Sequence, residues 1–375
     1  MANYVEIELI VGKKNDNLEM LITFDLPINP KYLSRIEKII KDQDIIRTVY
    51  SEDEFDRYSF LEYMKQIYIH KTKIFALLDR NIFIDIISIA SKAGQRQNNF
   101  SKTEKTTSAL LAFLQLMDTL IEPNIAILEY IDSGHHKQAE KELALFRAAD
   151  NVHPKYYVDI ALGKSVIIPK KELAHFKETS ISYLKGENIS RWKLFYGSIL
   201  KMAILERKGG DTLYKIEEYL KWMYSDYLFI SPAIRFCVIY FSAKRFRKMI
   251  KSLGSGEKEK IKRGLRNATW DMYLVYYWSE KVYDQNKKNE IWILCTEDKA
   301  VKEIAKYIIC TITDQKRLDE INKSQFINCL GIENGQKVHE LYSTLVKKVD
   351  NKNRAINKSY RLIDSNIYDL ERQLL

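Results

Sequence analysis

The chain has 375 residues, of which 46% are hydrophobic and 12% aromatic, enough for two or three units of ordinary size with sizeable cores. Only 13 Gly and 6 Pro punctuate it, which argues against an all-β architecture built on tight turns and favours long helices. A formal net charge of +10 suits an anionic partner such as nucleic acid, and four cysteines with no Cys-x-x-Cys pair indicate neither a zinc site nor a disulfide framework.

Residues 1–71 read as a lead-in without chemistry. Two strands over 4–11 and 18–24 flank a polar loop, and helices follow over 29–42 and 60–70. The start, Met-Ala-Asn-Tyr-Val-Glu-Ile-Glu, lacks a signal-peptide pattern, and the apolar stretch 227–242 is interrupted by Pro232 and Arg235. A reduced cytoplasmic protein without membrane spans is the expectation.

The next segment, Lys73-Ile-Phe-Ala-Leu-Leu-Asp79-Arg80-Asn81, is a continuous apolar run ending on a carboxylate. Such a run reads as a buried parallel strand, and an amphipathic helix to about Lys92 follows, with Asp85 expected to face solvent. Chemistry in open α/β sheets collects beyond the carboxyl ends of the strands, where an acid is placed to hold a hard cation. A polar break over 94–106 leads to a buried helix over 107–120, then to Glu122-Pro123-Asn124 and the apolar run ending at Glu129. Glu122 and Glu129 are two helical turns apart and share a face if the segment is helical.

Residues 133–264 are expected to be all-helical, with helices over 136–149, 170–175, 190–208, 211–224 and 232–252. Trp192, Trp222 and most tyrosines fall at core-like spacing, although a wall of bases-stacking aromatics is the other use for them. The densest basic stretch, Lys244-Arg-Phe-Arg247-Lys248-Met-Ile-Lys251 with Lys258, Lys260, Lys262, Arg263 and Arg266, is either a phosphate-facing surface or a solvated helix face. Leu253-Gly-Ser-Gly reads as a hinge. Asp271 then heads an apolar helix, and Glu290–Cys295 is a second apolar strand followed by Thr296-Glu297-Asp298 and a helix. Beyond 310 the chain is polar and helical, with a charged tail over 347–358 and an amphipathic helix over 360–374 that packs on the body.

Each acid alone is explained as an N-cap, which stabilises a helix by roughly 1 kcal/mol. Several strand-end or helix-start acids in one chain raise the other reading, a shared metal site. In their order, Asp79-Arg80-Asn81 at a strand end, Glu129, Asp271 before an apolar helix, and Thr296-Glu297-Asp298 after a strand resemble a PIN-like nuclease domain. The resemblance implies an α/β fold: a parallel-sheet core from residues 72–132 and 265–310, a large helical insertion over 133–264, and a helical C-terminal extension over 311–375. It implies Asp79, Glu129, Asp271 and Asp298 as ligands of Mg²⁺ or Mn²⁺, with Glu129 favoured over Glu122 but the choice between them open, and with Asn81 and Thr296 orienting water or a ligand. Crowded carboxylates repel, and a divalent ion relieves that repulsion. The implied activity is metal-dependent cleavage of nucleic acid, RNA rather than DNA, in a prokaryote-like cytoplasmic setting that leaves room for a regulatory protein partner.

Two alternatives compete: a non-catalytic nucleic-acid-binding module of the same fold, and a helical interaction scaffold whose acids are caps. Ala161-Leu-Gly-Lys-Ser lacks the first Gly of a phosphate loop, no Ser-His-Asp pattern stands out, and His135, His136 and His153 have no metal-spaced partners.

Overall fold

The computed structural model describes residues 5–13, 16–132, 134–173, 181, 187–308, 315–349 and 360–375. Cys310, the end of the helix expected over 170–175, and the tail residues 350–358 lie outside the described residues. Contacts divide the chain into two compact units, Met1–Leu184 with Asp284–Glu297, and Lys185–Tyr283 with Asp298–Leu375. These bounds differ from those read off the sequence, and the 133–264 stretch contributes to both units.

The first unit opens with two antiparallel strands, β1 (Val5–Lys13) and β2 (Asp16–Leu26). Helix α1 (Pro30–Asp42) follows, with Asn29 accepting from the Lys31 amide at 3.0 Å and Pro30 pre-set for the first turn. Its Leu33, Ile36 and Ile40 fall on one buried face. After β3 (Ile46–Arg47) and α2 (Phe60–Tyr68) comes the central strand β4 (Lys73–Leu78), buried at Ile74, Ala76, Leu77 and Leu78. An uninterrupted apolar strand of this kind is covered on both faces.

Helix α3 (Arg80–Ser91) leads to α4 (Lys102–Leu116), which begins five residues before the apolar run that announces it. A capping box explains the early start: the Ser101 hydroxyl accepts from the Glu104 amide, and the Glu104 carboxylate accepts from the Ser101 amide. Strand β5 (Leu120–Glu122) and α5 (Asn124–Asp132) replace the single helix that would have paired Glu122 with Glu129, because Pro123 forces a boundary. Helices α6 (His136–Asp150) and α7 (Pro154–Ala161) complete the coverage, α6 against α3 and α7 against α4. The expected helix at 170 is a single 3₁₀ turn, Lys170–Leu173.

With β6 (Glu290–Cys295) the sheet has four strands in the order β3-β6-β4-β5. Strand β4 is parallel to both β5 and β6, whereas β3 runs antiparallel along β6. The sheet is therefore small and mixed, not all-parallel, and its edge strand comes from the expected lead-in.

The regular elements among the second unit's described residues are all helices: α8 (Glu187–Lys208), α9 (Thr212–Ser225), α10 (Ser231–Ser242), α11 (Lys244–Arg247), α12 (Lys258–Lys288), α13 (Lys299–Ile308), α14 (Gln315–Leu330), α15 (Ile332–Lys348) and α16 (Tyr360–Leu374). The last residues of α12, from Asp284 on, group with the first unit. Helix α10 is buried at every position from Ala233 to Phe241 and is the core of its unit. Ala243 leaves it in extended backbone, which ends the helix well short of residue 252. Helix α16 packs on α8, where Tyr196 donates to Glu371 at 2.7 Å and Lys193 meets Asp364 at 2.7 Å. Trp192 is 3% exposed and stacks on Tyr196 and Trp270, so it serves the core. No helix among the described residues is long and apolar enough to cross a membrane.

Candidate functional site

Strand β4 ends at Leu78, and the Asp79 amide extends its ladder by donating to the Cys295 carbonyl of β6 at 3.0 Å. The Asp79 carbonyl accepts the first helical bond of α3 from Phe83, so its backbone is the N-cap. Its side chain makes no capping hydrogen bond. Instead Oδ2 accepts from the Thr296 hydroxyl at 2.6 Å, within the range of hydroxyl-to-carboxylate bonds. Asp79 is 6% exposed and Thr296 0%, and the Thr296 amide is held by the Ile45 carbonyl at 3.0 Å. Two neighbouring parallel strands thus end on a buried acid and a buried hydroxyl that meet at the carboxyl edge of the sheet.

Beside Asp79, Arg80 is tied down by the Ala126 carbonyl and by Glu142, both at 3.1 Å, and lies over the Tyr130 ring. Asn81 is exposed on the first turn of α3. Glu122 is the last residue of β5, in register with Leu77, and its carboxylate accepts from the Asn124 amide at 3.0 Å to open α5. Glu129 is half-buried farther along that helix.

Asp271 and Asp298 belong to the second unit. Asp271 does not head a helix: α12 begins thirteen residues earlier at Lys258, because apolar positions Ile261, Leu265 and Ala268 extend the periodicity upstream and no Pro interrupts it. Asp298 is a working N-cap, accepting from the Ala300 and Val301 amides at 2.7 and 3.3 Å. The cap role therefore holds for Asp298 and fails for the side chain of Asp79. Among the described residues, no three His, Cys, Asp or Glu side chains form a group that could hold a metal ion.

Other residues find local uses. Asp85 does not face open solvent; burial and the Thr107 hydroxyl at 3.3 Å surround it, and burial raises its pKa. His153 caps α7 through Nδ1, and His135 stacks on Tyr130. One cluster escaped sequence reading, namely Asp319 on α14 with His339 and Ser343 on α15. The single nitrogen Nε2 of His339 faces both Asp319 at 3.1 Å and Ser343 at 3.3 Å, whereas a nucleophile relay needs the acid and the serine on opposite ring nitrogens. A second feature was also missed, a cavity of 310 Å³ at the amino edge of the sheet, lined by Tyr50, Gln66, Gln285 and Asn289 among others.

No protein family, curated protein or solved structure matches the chain.

Proposed function

We propose that this chain is a metal-dependent nuclease of PIN-like architecture that hydrolyses RNA in the cytoplasm, with Asp79 at its centre. The observation that carries the reading is the Asp79–Thr296 pair: a buried acid at the carboxyl end of the central parallel strand, released from helix capping and held by a hydroxyl from the next strand. Burying a carboxylate is costly unless donors or a cation compensate it, so a buried acid at a strand's carboxyl end is a natural seat for a cation. Oxygen donors of this type fit a hard divalent cation such as Mg²⁺ or Mn²⁺. Bound there, such an ion supplies an activated water and charge stabilisation on phosphoryl oxygens. Within this reading Asp79 is a direct ligand, and Thr296 fixes which carboxylate oxygen points outward. Glu122 and Glu129 follow the neighbouring strand and share the remaining first-unit role.

The test is cleavage of mixed single-stranded RNA and DNA oligonucleotides in Mn²⁺, Mg²⁺ or EDTA, by wild type and by Asp79→Asn. RNA cleavage by wild type alone, abolished by EDTA, is the expected result. Cleavage by neither protein would leave a nucleic-acid-binding module in its place.

A further inference from the structure

Residues 244–266 hold ten Lys and Arg against two Glu, a net of +8 out of the chain's +10. We infer that this segment of the second unit is a built surface for the phosphate backbone of single-stranded nucleic acid. The inference deepens the nuclease reading and rests on it only for the choice of partner.

Three observations carry it. First, the segment is folded into place. The Lys251 carbonyl lies so close to Gly264 that any Cβ there would collide with it, which brings the 244–251 stretch against the start of α12. The Leu253 carbonyl is held by Arg207 at 2.8 Å, and Ser252 and Ser255 close a turn that leads to Glu257. What reads as a hinge is thus a pinned turn with cations on both sides.

Second, the cations divide into spoken-for and available. Arg247 pairs with Glu206 at 3.4 Å, Lys260 with Glu257 at 2.6 Å and Lys262 with Glu371 at 3.8 Å, and Arg266 lies over Trp192. Lys251, Lys258 and Arg263 are exposed and make no ion pair among the described residues. Exposed like charges without ion-pair partners in one short segment favour a polyanion.

Third, the apolar residues of the segment point inward. Phe246, Met249, Ile250, Ile261 and Leu265 are each at most 5% exposed. A membrane-surface helix needs apolar side chains free to enter the acyl boundary, and these are committed to the core. A hydrophilic polyanion fits what remains, and nucleic acid is that partner.

The experiment is fluorescence anisotropy of a labelled single-stranded RNA oligonucleotide with the full chain in EDTA, titrated from about 50 to 200 mM KCl. Wild type, the triple variant Lys251→Gln/Lys258→Gln/Arg263→Gln, and a control triple Lys221→Gln/Lys323→Gln/Lys337→Gln on α9, α14 and α15 are compared. Each phosphate contact contributes about 0.7 to the salt slope on single strands, so the first triple should flatten it by about 2 and weaken binding at 100 mM roughly a hundredfold. The control triple should bind within a few-fold of wild type. Equal losses in both triples, or none in the first, would overturn the surface. So would binding to phosphatidylserine vesicles without binding to RNA. Wild type that binds RNA by this surface but never cuts it would sink the nuclease reading alone; cleavage with an unaffected first triple would sink the surface alone.

Discussion

Replacing Thr296 by Val removes one hydroxyl at nearly constant shape and isolates the contact on which the proposed site turns. The Thr296 hydroxyl donates to Asp79 at 2.6 Å, with Thr296 0% and Asp79 6% exposed. A hydrogen bond to a charged group contributes about 1.5–3 kcal/mol net, whereas an exposed pair contributes about 0–1. Burial places this one in the upper class, so Thr296→Val should cost about 2 kcal/mol. Asp79→Asn keeps an acceptor oxygen and relieves a buried charge, so in EDTA it should cost less than Thr296→Val. The double variant should show a coupling of about 1–2 kcal/mol, since the two side chains touch. Urea unfolding followed by circular dichroism reads all four proteins. A Thr296→Val protein within about 0.5 kcal/mol of wild type, with no coupling, would refute the claim that the buried pair organises the sheet edge.

Three further outcomes follow from named contacts. Asn289 has φ 53° and ties the amino ends of β4 and β6, donating to the His70 and Lys71 carbonyls at 3.0 Å and accepting from Thr72 at 3.1 Å. Asn289→Ala should therefore cost about 2–4 kcal/mol in urea unfolding, and Asn289→Gly less, since Gly tolerates the backbone. Burial raises the Asp150 carboxyl to about 6 from 3.8, so the folded state binds its proton more tightly than the unfolded chain does. Its contribution is favourable at low pH and is lost as pH rises from about 4 to 6. Asp150→Asn should remove that fall and raise stability at pH 7 by at most about 3 kcal/mol, checked by unfolding across pH. Gly264→Ala should destabilise the second unit by about 1–3 kcal/mol through collision with the Lys251 backbone, measured by urea unfolding.

Where the chain spells its own local structure, the sequence is readable. The apolar run into Asp79, the strand into Thr296, and the break at Pro123 each sit where residue type alone puts them, because burial on both faces and a missing N–H leave few alternatives. Ser101 and Glu104 carry a capping-box signature that sets the start of α4, visible in the sequence but outweighed by the apolar run beginning at Thr107. Asp271 shows the limit: a carboxylate before Met-Tyr-Leu-Val looks like a helix start, but propensity upstream carried the helix through it. Strand β3 was hidden for a different reason. Two residues, Ile46 and Arg47, become a strand only because Leu294 and Cys295 offer an open edge, a long-range fact with no local pattern. The Asp319–His339–Ser343 cluster was hidden likewise, since α15 supplies two members at helical spacing and α14 the third.

The most direct measurement is calorimetric titration of Mn²⁺ into wild type and folded Asp79→Asn. A saturable heat in wild type that disappears in Asp79→Asn is the expected result and places the cation on the buried acid at the end of β4. Identical titrations, or no heat from either protein, would contradict a metal site at Asp79 and with it the proposed nuclease.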